Sequence, residues 1–402
     1  MSGFLGQQIL IVGGGIAGLA SAVALAWRGA KPIVLERAPQ LSEVGAGLQL
    51  SPNAIWAARR LGIYHHLKQT AVRPERLAVR SGKTNRLLTS MPLGTSIVQA
   101  HGAETLVTHR ADLLASLLKT AAALDIDIRT DHVVVDLETH QKGVTVLCEH
   151  AHGVRNVSAA LLVAADGVWS SIRTKRLKGP PAQRVSKTAW RTTLDVQTTD
   201  ALGSMPNEVS LWLGARSHLV QYPIRSGLKL NLVAIADDTW TGEDWNEPGD
   251  VSALHAHFAG WASPIKDLLR TSSSWTKWPL AVVDPIYPWT LDNRILLIGD
   301  AAHAMLPFGA QGAAMALEDA TELAVQLDAF APNFDQALAQ YVRIRRPRVS
   351  HVARAAEHNG WRFHLSGPAG MARDHVLRRM NGERLLKQQS EIYGWKPSQF
   401  AS

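Results

Sequence analysis

Cysteine is almost absent from this chain of 402 residues, which contains only Cys148. A single cysteine excludes an intrachain disulfide framework and any site built on several thiolate ligands. Long apolar runs are also missing, and none approaches the roughly 20 residues that a membrane-spanning helix needs. The first apolar strand begins at Gln8, too early for a signal peptide to precede it. We therefore expect a cytoplasmic protein with no membrane span and no metal site.

Concentrated charge is also lacking over most of the chain. The 42 Lys and Arg residues exceed the 34 Asp and Glu residues, for a formal net charge of +8, but they are widely spread. The exception is an arginine-rich run with helical spacing from Arg343 to Arg354. A nucleic-acid-binding surface usually brings interleaved aromatic residues or a known fold as well. We therefore expect no nucleic-acid partner, and we interpret the run as a solvated helix that packs on the cofactor-binding domain.

A glycine-rich segment stands close to the start of the sequence. The apolar run Gln8–Val12 predicts a buried parallel strand, and it leads into Gly13, Gly15 and Gly18 at the start of an Ala-rich helix. A second apolar strand follows and ends in Glu36. Glycines at this spacing permit a tight turn, the helix N-terminus can receive a pyrophosphate, and the carboxylate can accept ribose hydroxyls. The order of these elements predicts a dinucleotide-binding site.

Two further strands end where the backbone can meet a ligand. The apolar strand that starts at Ala160 runs into Asp166-Gly167, and the one that starts at Arg294 runs into Gly299-Asp300. The turn Gly309 to Gly312 then opens a long helix, whose N-terminus is free to stabilise an anion.

Two polar side chains are candidates for ligand contacts, each with an alternative explanation. Arg110 opens a helix, where the dipole disfavours a cation, so it contacts a cofactor anion or forms an ion pair with Asp112 or Glu104. Gln49 is the sizeable polar residue in a glycine-rich approach. It either faces a ligand or bonds to nearby backbone as a loop amide.

The middle of the chain has a different periodicity. From about Gly179 to about Pro285, short alternating segments predict an antiparallel sheet, with one helix near Val251–Phe258. His218 and Tyr222 share one face of a strand, with an apolar residue between them. If that face lines a cavity, the pair can hold and deprotonate a phenolic substrate. The alternative is that both side chains face solvent.

These patterns predict an α/β protein of two domains and a tail. With 46% hydrophobic residues, the chain can bury a large core. We expect a Rossmann-like cofactor-binding domain with a parallel sheet and helices, a substrate domain with an antiparallel sheet, and a C-terminal helical segment. The predicted ranges are 1–75 with 100–180 and 281–345 for the first, 76–99 with 181–280 for the second, and 346–402 for the helical segment.

Taken together, the motifs resemble those of the single-component (class A) flavoprotein aromatic monooxygenases, from about Gln8 to about Arg348. The motifs that carry the resemblance are Gly13 to Gly18 with Glu36, Asp166-Gly167 before Arg173, and Gly299-Asp300 with Pro307. Within the family, the chain is similar to the branch of salicylate hydroxylases and 3-hydroxybenzoate 6-hydroxylases. Its members share Gly45-Ala46-Gly47 with Pro52-Asn53-Ala54, Tyr222-Pro223-Ile224-Arg225 and Leu317-Glu318-Asp319-Ala320.

The resemblance implies bound FAD, with NADH or NADPH as a transient co-substrate and O2 as the oxidant. The adenine is expected near Val134, and the flavin ring near Gly47, Pro307 and the turn that follows. The residues that the resemblance assigns to FAD are Gly13, Gly15, Ile16, Ala17, Gly18, Glu36, Arg37, Gly47, Arg110, Val134, Asp166, Gly299, Asp300, Pro307, Gly309, Gly312 and Ala313.

The family's chemistry is hydroxylation of an activated arene by a C4a-hydroperoxyflavin. The resemblance gives His218 with Tyr222 the task of forming the phenolate, and lets Gln49 and Gln311 hydrogen-bond the substrate. His303 is expected to be structural, since it follows the cofactor motif directly. The candidates for the substrate carboxylate are Arg191, Arg216 and Arg225.

The sequence leaves more than one identity possible for the substrate. The set of Gln49, His218, Tyr222 and Gln311 is closer to the 3-hydroxybenzoate 6-hydroxylases, whereas Ala304–Pro307 is closer to the salicylate hydroxylases. Phe308 stands where salicylate hydroxylases typically carry His. Either a hydroxybenzoate or a hydroxylated N-heteroaromatic acid such as 6-hydroxynicotinate fits. A flavin-binding protein without hydroxylase activity and an NAD-dependent dehydrogenase are the other readings, and a monomer or homodimer is expected.

Overall fold

The computed structural model describes residues 5–41, 46–151, 153–196, 207–242 and 246–398. Gly45 of the predicted Gly45-Ala46-Gly47 segment lies outside these residues. The strands are β1 (Gln8–Val12), β2 (Lys31–Leu35), β3 (Gly47–Leu50), β4 (Arg76–Ser81), β5 (Leu87–Pro92), β6 (Leu106–His109), β7 (Asp127–Arg129), β8 (Val133–His140), β9 (Gly143–His150), β10 (Gly153–Ala159), β11 (Leu161–Ala164), β12 (Gln183–Asp195), β13 (Glu208–Leu213), β14 (Ser217–Ile224), β15 (Lys229–Ala236), β16 (Glu247–Pro248), β17 (Thr276–Val282), β18 (Thr290–Leu291) and β19 (Ile295–Leu297).

Helices connect and cover the strands, and a short π-helical turn spans Ile172–Arg176. The helices are α1 (Ile16–Ala26), α2 (Pro52–Arg60), α3 (Tyr64–Thr70), α4 (Thr95–His101), α5 (Arg110–Ala123), α6 (Val251–His257), α7 (Ser263–Arg270), α8 (Asp300–His303), α9 (Gly312–Phe330), α10 (Phe334–Phe363), α11 (Gly367–Arg378), α12 (Gly382–Gln388) and α13 (Ser390–Tyr393). Among the helices described, none is both long enough and apolar enough to cross a bilayer.

A six-stranded sheet carries the glycine-rich segment. Its order is β18-β19-β11-β1-β2-β7, and all neighbours pair in parallel except β18 with β19. The apolar runs of β1 and β11 are buried on both faces, as expected for central strands covered by helices. Helix α1 packs against α5 and α9, and α10 packs against α9. The predicted α/β class with a parallel sheet is confirmed.

Glycine is required at two positions of the turn after β1. Gly13 has a φ of +109°, and a Cβ there would lie 2.3 Å from the Ala165 carbonyl oxygen. A Cβ at Gly18 would lie 1.9 Å from the Gly13 carbonyl oxygen. Neither neighbour is a side chain that could move away, so a side chain at either position would displace the backbone. These glycines let α1 start close against the sheet.

The second large sheet is mostly antiparallel, as predicted. Its eight strands follow the order β16-β17-β12-β15-β14-β13-β4-β5, with one parallel pair between β13 and β4. One face packs on α6 and α7 through Trp190, Leu219 and Leu232. Only one helix was expected in this region, and α7 was missed because eight residues show little of a helical repeat. The opposite face carries His218 and is the one that concerns function.

Candidate functional site

The turn after β1 and the end of β2 form an open cradle. The Gly14 N–H donates to Glu36 Oε2 at 2.6 Å, and the Ala38 N–H donates to Glu36 Oε1 at 2.8 Å. No side chain caps α1, and a Cβ at Gly15 would meet no atom within 4 Å. The N-terminal N–H groups of α1 therefore point into free space beside a carboxylate, as a pyrophosphate and a ribose require. Arg37 is exposed at the rim.

The Asp166-Gly167 and Gly299-Asp300 motifs lie side by side because β11 pairs with β19. Arg173 joins them through its guanidinium, which donates to the carbonyl oxygens of Val168 at 2.6 Å and Ala301 at 2.7 Å. The Oδ1 atom of Asp166 is buried and has no hydrogen-bond partner among the described residues. Burial raises the pKa of Asp166 despite hydrogen bonds that lower it. This carboxyl is thus available to a ligand.

The other predicted cofactor residues lie on several elements. Gly312 begins α9 without a side-chain cap and is exposed, as is Asp300 at the start of α8. Arg110 begins α5, and its N–H donates to the Ala46 carbonyl oxygen at 3.2 Å. Val134 lies on β8, partly buried against the core. Ile16 and Gly18 are buried, and the remaining predicted residues in these turns are partly exposed: Gly13, Gly15, Ala17, Gly47, Pro307, Gly309 and Ala313.

This arrangement fits an extended dinucleotide such as FAD. Two uncapped helix N-termini supply N–H groups for anions, the glycine turn permits close approach, and two carboxyl groups stand at strand ends. In the described part of the chain, no group of three or more His, Cys, Asp or Glu side chains is arranged to hold a metal ion.

The register of the second sheet brings the predicted catalytic residues to one face. His218 lies opposite Ile235, and Tyr222 lies opposite Asn231. Directly opposed residues of antiparallel strands share a face. The residues on this face are Ala189, Arg191 and Thr193 of β12, Asn231, Val233 and Ile235 of β15, and His218, Val220 and Tyr222 of β14.

His218 is a buried imidazole with one nitrogen free. Its side chain is 2% exposed, and Nδ1 lies 2.8 Å from Nε2 of His364. The rings of Phe308 and Phe363 pack on it at centroid distances of 5.3 and 5.4 Å. The hydrogen bond to His364 uses Nδ1, so Nε2 is the ring nitrogen that remains for a ligand. Burial, together with His364 and Lys187 nearby, holds the pKa of His218 well below its usual value, so the imidazole is neutral and can accept a proton.

Tyr222 lies against the strand that would meet the flavin ring. A Cβ at Gly47 would lie 2.5 Å from the Tyr222 ring, and the Gly47 N–H donates to Asn231 Oδ1 at 2.6 Å. Tyr222 is 3% exposed. Burial strongly raises the pKa of Tyr222, and Arg191 opposes this only in part. Tyr222 thus stays protonated and can donate a hydrogen bond.

The burial of His218 and Tyr222 excludes the solvent-facing alternative. The two residues are four positions apart on β14, so their Cα atoms are roughly 13 Å apart. A ring that contacts both side chains would have to lie over Val220, the partly exposed residue between them.

The two predicted glutamines differ in their surroundings. Gln49 shares a face of β3 with Gly47, since side chains alternate along a strand, and this face meets Tyr222. Gln311 is buried, and its amide donates to Ser51 Oγ at 2.9 Å and accepts from Asn53 Nδ2 at 2.9 Å. Gln311 therefore holds the turn before α9 through partners within the protein.

The structure distinguishes the three candidate arginines. The Arg191 Nε atom is buried without a hydrogen-bond partner among the described residues. Arg191 lines a cavity of about 470 Å³ with Ala46, Trp278 and several hydroxyl side chains. Arg225 instead forms an ion pair with Asp112 at 3.3 Å, and the Arg216 side chain is 74% exposed.

The interpretation of the arginine-rich run as a solvated helix is wrong for Arg345. This side chain is fully buried, and its guanidinium donates to Glu318 at 2.6 Å and to Asp319 at 2.8 Å. Asp319 also accepts from His303 Nε2 at 2.6 Å and from the Gly299 N–H at 2.9 Å. The physical reason is that two buried carboxylates on α9 need a cation. His303 accordingly belongs to this internal network.

Sequence reasoning missed Asn231, His364 and Asp237. Asn231 had a usable signal, since it is a polar residue on the face of an alternating strand that also holds Val233. His364 caps the C-terminus of α10. It had no signal in the sequence, because its partner His218 is 146 residues away.

Comparison with known proteins is consistent with this geometry. The family model described as FAD binding domain matches residues 7–356. Over 396 residues the chain is 33% identical to 3-hydroxybenzoate 6-hydroxylase 1 of Aquipseudomonas alcaligenes, covering 96% of this chain and 98% of the relative. Over 359 residues it is 31% identical to 6-hydroxynicotinate 3-monooxygenase of Pseudomonas fluorescens, covering 88% and 91%.

A solved salicylate hydroxylase substrate complex superposes with a TM-score of 0.81 at 26% identity, covering 97% of this chain and 96% of that chain. The long match to the family model and the near-full-length similarity to named hydroxylases agree with the cradle at Glu36 and the uncapped helix at Gly312. The chain therefore belongs to the FAD binding domain family and, within it, to the flavin-dependent hydroxylases.

Proposed function

We propose that the protein hydroxylates a phenolic aromatic acid of the hydroxybenzoate or salicylate type, with bound FAD and with NADH or NADPH and O2 as co-substrates. The observation that carries the proposal is one face of β14, where the buried imidazole of His218 and the buried phenol of Tyr222 lie on either side of the partly exposed Val220. By their names, the relatives act on 3-hydroxybenzoate and 6-hydroxynicotinate, which are both hydroxylated ring acids.

Bound FAD, once reduced by the nicotinamide co-substrate, supplies the activated oxygen. The chain's part toward this group is to hold it. Glu36 and the N-terminus of α1 would bind the ribose and pyrophosphate, and the turn before Gly312 would lie beside the flavin ring. The positive end of the α9 dipole stabilises negative charge there.

His218 acts as the base for the substrate. Its free Nε2 accepts the phenol proton, and the resulting phenolate is a better nucleophile than the phenol. Phe308 and Phe363 keep water away from this nitrogen. Tyr222 donates a hydrogen bond at the other end of the site, while Gln49 contacts the substrate and Gln311 positions the turn.

Arg191 binds the substrate carboxylate. Across the sheet, Arg191 lies opposite Val233, which lies opposite Val220, so Arg191 shares the face of His218, Val220 and Tyr222. Burial lowers the pKa of Arg191 and nearby Arg110 lowers it further, so an anion here relieves the cost of a poorly solvated cation. Arg225 and Arg216 are less suited, since both form ion pairs with protein carboxylates.

A hydroxylated N-heteroaromatic acid such as 6-hydroxynicotinate is the second candidate. It presents a hydroxyl and a carboxylate on one ring, which His218 and Arg191 would hold in the same way. The similarity to 6-hydroxynicotinate 3-monooxygenase favours it specifically. A cytoplasmic location and a monomeric or homodimeric state belong to this proposal.

Purified protein with bound flavin should oxidise NADH or NADPH faster when the correct acid is present. Oxidation is followed by absorbance with salicylate, 3-hydroxybenzoate, 4-hydroxybenzoate and 6-hydroxynicotinate, and the products are identified by mass spectrometry. We expect one acid to stimulate oxidation and to gain one hydroxyl group. Flavin-loaded protein that responds to none of them would instead be a flavin-binding protein of another function.

Replacing Arg191 by Gln should raise KM for the acid about 10- to 100-fold, with a smaller change in kcat. The lost charge-assisted hydrogen bond is worth about 1.5–3 kcal/mol. Steady-state kinetics measure this, and the corresponding phenol without a carboxylate should bind the variant and the wild type equally well. The matched control is Arg225→Gln, which removes a partly exposed arginine that follows β14 and pairs with Asp112. Equal effects of both substitutions would contradict the assignment.

A further inference from the structure

We propose that His364 and Asp237 form a proton relay that carries the phenol proton from His218 to solvent. The proposal rests on the proposed function, in which His218 is the base. It assigns two residues that neither the cofactor motifs nor the predicted catalytic set includes.

The relay is a continuous chain of hydrogen bonds. His218 Nδ1 lies 2.8 Å from His364 Nε2, and His364 Nδ1 lies 2.5 Å from Asp237 Oδ1. Exposure rises along the chain, from 2% for His218 and 5% for the His364 side chain to 24% for the Asp237 side chain. Each imidazole therefore joins a more buried group to a less buried one. The chain ends at the surface.

A buried base needs such an outlet. His218 is enclosed by Phe308, Phe363 and His364, and its pKa lies well below the usual value, so it does not retain a proton as an imidazolium. Without an outlet, the proton would return to the phenolate and the ring would lose its activation. Passing the proton to His364 removes this difficulty.

The charges at the outer end of the chain keep Asp237 ionised. Lys187 bonds Asp237 and lies 3.1 Å from His364 Nδ1, and Arg216 lies 3.7 Å from Asp237 Oδ2. The positive charge of Arg373 also lowers the pKa of His364. Burial alone would raise the pKa of Asp237, but the hydrogen bonds of His364 and Lys187 lower it to about 2. Asp237 thus stays ionised and passes the proton to water.

Protons balance at each step. The phenol O–H bond breaks as His218 Nε2 gains the proton, and the Nδ1 proton of His218 moves to His364 Nε2. The Nδ1 proton of His364 then moves through Asp237 to water. The reverse sequence returns a proton to the hydroxylated product and restores both starting tautomers.

The test measures proton release rather than turnover. FAD-loaded enzyme is mixed with the phenolic acid in weak buffer, and stopped flow follows both phenolate absorption and a pH-indicator dye. We expect His364→Gln and Asp237→Asn to slow proton release at least about 10-fold while keeping FAD and substrate affinity. An amide at position 364 can keep both hydrogen bonds yet cannot carry a proton. Added imidazole should restore release to His364→Ala.

The matched control is Asp238→Asn. Asp238 is the neighbouring carboxylate with 25% side-chain exposure, but it pairs with Lys277 at 2.8 Å and not with the relay. The Asp238→Asn variant should release protons at the wild-type rate. If His364→Gln fails to bind FAD, the rate of proton release by Asp237→Asn, a substitution near the surface, tests the relay by itself.

Two failures are distinguishable. Wild-type enzyme that forms no phenolate with any hydroxylated acid would overturn the proposed function. Wild-type enzyme that forms it, with both relay variants equally fast, would overturn the relay and leave the function standing.

Discussion

His218→Gln is expected to bind FAD normally and to lose coupled hydroxylation by about 100- to 10,000-fold, the usual contribution of a general base. Glutamine can still meet His364 but offers no nitrogen lone pair to the phenol. FAD binding should persist, because the cradle lies on the other sheet, around Gly14 and Glu36. The measurement compares hydroxylated product with NAD(P)H consumed. Flavin reduction should continue, so the variant consumes NAD(P)H without product.

The pH dependence should separate a base from a packing residue. Because the pKa of His218 is lowered from its usual value near 6.5, the imidazole stays neutral as pH falls below that value. Wild-type hydroxylation should therefore persist below pH 6.5, and the variant should be slow at every pH. The control is His351→Gln, whose side chain is 44% exposed on α10. Coupled product formation by His218→Gln at the wild-type rate would remove His218 from the mechanism.

Structural features that depend on a short segment of the chain could be predicted from the sequence. The strand, glycine turn, helix and terminal acid around Gly13 and Glu36 follow one another in one short stretch, so their order can be read from the sequence, although the close approach of Ala165 to Gly13 cannot. The shared face of His218 and Tyr222 follows from the two-residue period of a strand. The α/β class and the predominantly antiparallel second sheet follow from the same periods.

Features that depend on distant partners could not be predicted. Nothing near His364 indicates that it meets His218, because α10 must first dock against the second sheet. The amide of Gln311 was assigned to the substrate, but Ser51 and Asn53 lie some 260 residues away in sequence and engage it. The predicted domain ranges stay an interpretation, although β4 and β5 do lie in the second sheet with β12 to β17.

Arg345→Met is expected to lower the free energy of unfolding by about 3–5 kcal/mol, the usual cost of removing one partner from a buried ion network. Methionine fills much of the volume, so the loss is electrostatic. Glu318 and Asp319 would both remain fully buried with less counter-charge, and Asp319 fixes the Gly299 N–H and His303. Glu318 in turn accepts from Asn53, the partner of Gln311. Weaker FAD binding should accompany the loss of stability, which urea unfolding and flavin fluorescence measure.

The pH of acid unfolding is a second measurement of the same network, and the direction of its change can be predicted. Burial would raise the pKa of Asp319, but His303, Arg345 and the Gly299 N–H lower it to about 2. A carboxyl whose folded pKa is depressed stabilises the fold above its ordinary value of 3.8, and this contribution is lost as pH falls toward 2. Removing Arg345 raises the folded pKa, so the variant should unfold at higher pH than the wild type.

Two further variants decide whether charge is the cause. Arg343→Met changes an exposed arginine of the same helix and should alter stability by less than about 0.5 kcal/mol. Adding Asp319→Asn to Arg345→Met should restore part of the lost stability, because without Arg345 this buried carboxylate keeps no arginine, whereas Glu318 still pairs with Arg348 at 2.8 Å. If the double variant is no more stable than Arg345→Met, the loss comes from packing, and the network of α9 and α10 holds the flavin-facing turn by shape alone.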